Sequence, residues 1–172
     1  MKVLAARALS AAFVFILFSC SEELDIDLSP PDIPIAQLLS SPDTVLVEGR
    51  RLWLSTYMWR DFQPISPPDG KPLIAILVIT AVDTIQLPSS ITSDAVWIVN
   101  NNQVWKSWLS DHNVPPNSPN SIKKIAEDGP KWGPCDSCVS VIVRVYDSNR
   151  KEYFLLAPDQ NIGSTWSIKS AY

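Results

Sequence analysis

The chain has 172 residues, 46% apolar and 19% charged, and its 14 Lys and Arg against 18 Asp and Glu leave a formal charge of −4. That is one domain's worth of chain with enough apolar residues for a real core, and an acidic balance without clustered Lys and Arg excludes the phosphate attraction on which nucleic-acid binding depends. A single His and three Cys leave few ways to assemble a conventional catalytic site.

Residues 1–19 place Lys2 and Arg7 ahead of an apolar stretch from Ala8 to Phe18. At 1.5 Å per residue that stretch covers about 16 Å, too short for a hydrocarbon core of roughly 30 Å, so it reads as a secretory signal helix. Leu17-Phe18-Ser19-Cys20 then resembles the lipobox of bacterial lipoproteins. The resemblance implies cleavage before Cys20, acylation of its thiol, and a mature protein held to a bilayer by lipid chains; each buried methylene contributes about 0.8 kcal/mol. The acids of Ser21-Glu22-Glu23-Leu24-Asp25-Ile26-Asp27 are similar to the export signal of Bacteroidota lipoproteins, which implies the outer membrane. The expected localisation is the cell envelope, facing the periplasm or the cell surface.

Residues 20–43 are acidic and Pro-rich, with one apolar patch at Ile35-Ala36-Gln37-Leu38-Leu39, and read as a tether. From Thr44 to the end, residues 44–172 form the domain. Val45 and Val47 alternate with Leu46 and Glu48, Gly49 interrupts, and Arg50–Trp59 alternates Leu52, Leu54 and Met58 with Trp53, Tyr57 and Trp59. Period two predicts a strand pair there. Residues 63–72 form a Pro-rich loop, and Leu73–Val82, apolar at both parities, predicts a central strand covered on both faces. Asn100-Asn101-Asn102 predicts the turn of a hairpin, and Val139–Tyr146, turning at Asp147-Ser148-Asn149-Arg150 into Glu152–Leu156, predicts another. In the connection between them, Ser118 as cap and Pro119 at the first position predict a short loop helix over Pro119–Glu127. A last short strand is expected over Ser164–Ile168. About seven strands with frequent turns indicate an all-β fold: an antiparallel β-sandwich of immunoglobulin-like type, with a small barrel as the alternative.

Cys135-Asp136-Ser137-Cys138 holds the only Cys pair after Cys20. In an exported chain it reads as a disulfide between Cys135 and Cys138, and as a thiol-disulfide redox pair in the alternative. Zinc would need His112 with Asp111 or Asp136, outside any known ligand spacing, and no nucleophile elbow accompanies His112. No metal and no cofactor is expected. Arg60-Asp61 reads as an ion pair at a strand end. The seven Trp can each bury about 200 Å², and in a sandwich they mostly fill the core. Trp59, Trp105, Trp108 and Trp132 are the candidate ligand-binding residues, for a glycan or another envelope protein. The resulting function is a non-catalytic binding or interaction module on a lipid anchor. Its alternatives are a redox protein and a protease-inhibitor-like domain presenting loop 63–72.

Overall fold

A computed structural model describes residues 29–111 and 118–165. The signal helix, Cys20, His112 and the strand expected beyond Thr165 lie outside those residues. Eight strands follow one short helix: α1 Ile35–Leu39, β1 Thr44–Val47, β2 Arg50–Arg60, β3 Leu73–Ala81, β4 Thr92–Asn100, β5 Gln103–Trp108, β6 Ser121–Gly129, β7 Cys135–Tyr146 and β8 Glu152–Ser164.

The all-β expectation holds, but the strands do not separate into two independent sheets. They follow one hydrogen-bonded path, β5-β4-β7-β8-β2-β3-β6, with β1 added to β2. Two antiparallel halves, β1-β2-β3-β6 and β5-β4-β7-β8, meet at two seams. At one seam β2 and β8 run parallel for two rungs, Trp59↔Gly163 and Arg60↔Ser164. At the other, Ser110 and Ile125 exchange backbone hydrogen bonds of 2.9 and 3.0 Å just beyond the end of β5. The sheet therefore curls into a nearly closed barrel, which leaves few unpaired edges.

Turn chemistry sets several registers. Glu48 and Gly49, both at positive φ (48° and 77°), turn β1 into β2, and Asn101 at φ 52° turns β4 into β5 with Asn100 opposite Gln103. Asp147 organises the β7–β8 turn: its carboxylate accepts from the backbone N–H of Asn149 and Lys151 and from the Tyr153 hydroxyl.

The helix expected over Pro119–Glu127 is strand β6 instead. Pro119 and Asn120 are the central residues of a turn in which the Ser121 N–H reaches the Ser118 carbonyl at 3.0 Å. Proline at the second position of a turn satisfies the same φ restriction as proline at a helix start. What decides between them is β3, whose second edge is laddered by β6 from Leu73↔Gly129 to Thr80↔Ser121. Pairing a buried strand edge outweighs a weak local helix preference.

The barrel interior is aliphatic. Leu52, Leu54 and Met58 of β2, Leu73, Leu77 and Ile79 of β3, Val96 and Ile98 of β4, Val141, Val143 and Val145 of β7 and Leu155 of β8 form one buried cluster. Tryptophan borders this core without filling it: Trp105 and Trp132 pack against it partly buried, and of the described Trp residues only Trp97 is fully buried, and it faces outward. Nor is β3 covered on both faces, since Ile74, Ile76 and Val78 are only half-buried. The strands covered on both sides are β4 and β7, because the apolar patch read as tether docks on them. Leu38 of α1, 1% exposed, packs with Ala95, Trp97, Val99 and Ile142 in a second core. The Trp97 Nε1–H donates to the Pro31 carbonyl at 3.1 Å, and the Leu156 N–H donates to Pro42. The domain thus begins near Pro30 instead of Thr44.

Leu38→Ala should lower stability by about 2–4 kcal/mol through the cavity it leaves, whereas Leu39→Ala, at an exposed position, should stay within about 0.5 kcal/mol; urea unfolding of both variants checks this. A second expectation concerns pH. Backbone N–H donors hold Glu48 and Asp61 below the usual carboxylate range. Burial pushes Asp147 up, but its N–H and hydroxyl donors outweigh that and leave it lowered. Carboxyls depressed in the fold bind protons more readily when unfolded, so stability is complete above the ordinary carboxylate range and is lost as pH falls through the depressed values. The urea midpoint should be flat near neutrality and drop below about pH 4, with a shallower drop in Asp147→Asn.

Candidate functional site

Three open concave surfaces among the described residues lie at the seams. The β5–β6 seam carries a shallow pocket of about 530 Å³ lined by Gln103, Val104, Trp105, Pro130 and Trp132. Two of the four tryptophans singled out in the sequence meet here, contributed by β5 and by the segment after β6. Trp105 seats its ring over Gly129, where a Cβ would come within 2.7 Å of the indole. Only glycine permits that approach, so the Gly129–Trp105 contact fills the seam where backbone pairing stops.

Trp132 is held at both ends. Its Nε1–H donates to Gln103 Oε1 at 2.8 Å, and its backbone carbonyl accepts from Arg60 at 3.1 Å. Arg60, 3% exposed at the end of β2, also donates to the carbonyls of Lys71 and Lys131 at 2.9 Å each and to that of Asp69. Its guanidinium lies over Phe62, 4.8 Å from the ring centroid. The Arg60–Asp61 ion pair expected from adjacency is therefore not formed as such. Successive strand residues point to opposite faces, and Asp61 pairs with Lys71 at 3.1 Å while accepting from Gln63 and Thr165. A planar guanidinium has five N–H donors in a rigid fork, and here they join loop 61–72 to the segment carrying Trp132. Gly70 makes room for this: at φ 76°, a Cβ there would stand 2.6 Å from Phe62 and 3.0 Å from Arg60. Asp69 forms an ion pair with Lys131 at 2.6 Å, and that hydrogen bond holds its carboxyl below the usual range.

The other candidates lie elsewhere. Trp108, 46% exposed, faces Arg144 across 5.7 Å. Arg144 is buried and fixed by Asp94 through two 3.0 Å hydrogen bonds, so Trp108 belongs to a structural cluster on the outer face of β4 and β7. Trp59 lies on the outer face of β2 beside Tyr57, ring centroids 5.1 Å apart. Trp53 and Tyr57 on that face are 41% and 50% exposed; the period-two pattern had already placed them together, opposite the core-facing Leu52, Leu54 and Met58.

The Cys135 and Cys138 sulfurs lie at disulfide distance, with Cα atoms 5.9 Å apart. Cys135 opens β7 opposite Ile162, and pairing resumes at Val139↔Gln160 directly after Cys138. The pair therefore sits in a strand, not at the helix N-terminus that lowers a thiol pKa in redox motifs. In loop 63–72, Ser66 and Gly70 close turns onto Gln63 and Pro67, and Ile65 at the tip is 87% exposed. Among the described residues, no three His, Cys, Asp or Glu side chains are grouped to hold a metal ion.

No family model and no curated protein matches the chain. A solved structure described as Northeast Structural Genomics Consortium target SoR45 aligns over 70% of this chain and 92% of its own, at 11% identity and a TM-score of 0.38.

Arg60→Lys retains charge but cannot bridge three segments. It should destabilise the fold by about 2–3 kcal/mol and loosen Trp132, read as red-shifted, more quenchable fluorescence, while Arg50→Lys at an exposed ion pair should change stability by less than about 1 kcal/mol.

Proposed function

We propose that this chain is an envelope lipoprotein whose β domain is a non-catalytic binding module, with the Trp105–Trp132 pocket as the site for a single flat ring such as a pyranose. The observation that carries this reading is the immobilisation of Trp132. A half-exposed indole fixed at its ring nitrogen and at its carbonyl loses little conformational freedom when a ligand stacks on it. Trp105 forms the adjoining wall, and Gln103 and the chain around Pro130 supply the polar edge that orients a ring.

The lipid anchor rests on the Leu17–Cys20 motif. With residues from Pro30 onward docked on the barrel, only the residues between Cys20 and Ser29 remain to span the distance to the bilayer. At about 3.3 Å each they reach roughly 33 Å, which keeps the domain close to the membrane.

Labelled palmitate should be incorporated by the full chain and lost in Cys20→Ala, with the protein moving from the membrane to the soluble fraction. On a glycan array, Trp132→Ala should weaken retained ligands by about tenfold or more, the loss of one stacked aromatic. Binding unaffected by Trp132→Ala would remove the pocket from this assignment.

A further inference from the structure

The second seam carries a different surface. The β1 ladder along β2 ends at Thr44↔Trp53, and the β8 ladder begins only at Trp59↔Gly163. Between these points Leu54–Met58 faces β8 where β8 bulges, with the register shifted between Val139 and Val141 and Asp159 at φ 54°. A side-chain bond spans the gap: the Thr56 hydroxyl donates to Gln160 Oε1 at 2.6 Å, and the Gln160 amide donates to the Pro158 carbonyl.

Gln160 is the common wall of two open cavities. One, of about 450 Å³, is lined by residues including Asp43, Thr44 and Trp53. The other, of about 420 Å³, is lined by residues including Thr56, Tyr57, Asp159 and Asn161. Each has one exposed aromatic ring, and Trp53 and Tyr57 are four residues apart on one strand face, about 13 Å at roughly 3.3 Å per residue. The polar lining is hydroxyl, amide and carboxylate; neither cavity is lined by Lys, Arg or His. Asn161 is held in place by the Cys135–Cys138 turn, whose Ser137 N–H donates to its Oδ1 at 2.6 Å.

We propose that this cleft between β2 and β8 binds an uncharged linear oligosaccharide, with separate sugar rings on Trp53 and Tyr57 and hydroxyls on Asp43, Asp159 and Asn161. The charge pattern selects the occupant. Carboxylates without cations repel anionic glycans and phosphates. A purely apolar partner would bury those carboxylates and hydroxyls without hydrogen bonds. A neutral sugar chain offers C–H faces to the rings and hydroxyl donors to the acids, and the spacing of the two rings exceeds a single sugar. The site is independent of the Trp105–Trp132 pocket.

Isothermal titration of the full chain in detergent decides the matter, using neutral linear hexasaccharides (β-1,4-glucan, β-1,3-glucan, α-1,4-glucan and β-1,4-mannan), a uronic-acid oligomer and a glucosamine oligomer. At least one neutral chain should bind with little salt dependence. Measured in a Trp132→Ala background, which takes the other pocket out of the reading, Trp53→Ala and Tyr57→Ala should each weaken it by about tenfold. Both substitutions on β2 remove exposed rings, and thermal melts matching the unaltered chain confirm that the fold is retained. The proposal is overturned if no neutral oligomer binds, if the polycation alone binds and salt abolishes it, or if Trp132→Ala removes binding that the two β2 variants preserve.

Discussion

Closure of the barrel by side chains is the constraint on which the rest of this structure depends. Antiparallel ladders build two half-barrels, but among the described residues the backbone joins them through two parallel rungs at one seam and one bridge at the other. Elsewhere along the seams the gap is filled by particular groups: the Trp105 ring over Gly129, and the Thr56 hydroxyl on Gln160. A sheet that closes incompletely must satisfy or hydrate the backbone groups it leaves at its edges. Its seams are therefore where polar side chains, aromatic rings and concave surface collect, while the interior is lined by aliphatic side chains.

Arg60 couples that closure to the candidate site. It sits where β2 meets β8, is nearly inaccessible, and donates to carbonyls of loop 61–72 and of the segment leading to β7. A buried cation is costly unless it is fully hydrogen-bonded. Here backbone oxygens provide the acceptors directly, while the neighbouring carboxylates of Asp61 and Asp69 are engaged by Lys71 and Lys131. The same interactions that make burial of the guanidinium tolerable fix the carbonyl of Trp132, so the pocket wall is as ordered as the strand end beneath it. Arg144 shows the other solution, in which a bidentate carboxylate partner, Asp94, outweighs the cost of burial and raises its pKa.

The segment before β1 is part of the domain. Its helix is a single short turn with no stability of its own, and it persists because Leu38, Ile33 and Ile35 cover Trp97 and Ile142. That cover explains why β4 and β7 are buried on both faces while β2 and β3 keep a partly exposed outer face bearing Trp53 and Tyr57. It also brings the barrel nearer to the proposed lipid anchor than an extended tether would.

Period-two alternation in Arg50–Trp59 and Val139–Tyr146, the Asn turn at 100–102 and the Asp turn at 147 determined by themselves that this chain is all-β, where two hairpins fold back, and that Trp53, Tyr57 and Trp59 share a face, because strand parity and turn conformations are local properties. Only tertiary structure decided that Pro119–Glu127 is a strand, since its pattern also suits a helix and the choice rests on the unpaired edge of β3. It likewise separated Trp108 and Trp59 from Trp105 and Trp132, and gave Arg60 carbonyl partners instead of Asp61. Those outcomes depend on which strands become neighbours across a seam, a pairing between residues as far apart as 60 and 132 that no short stretch of sequence encodes.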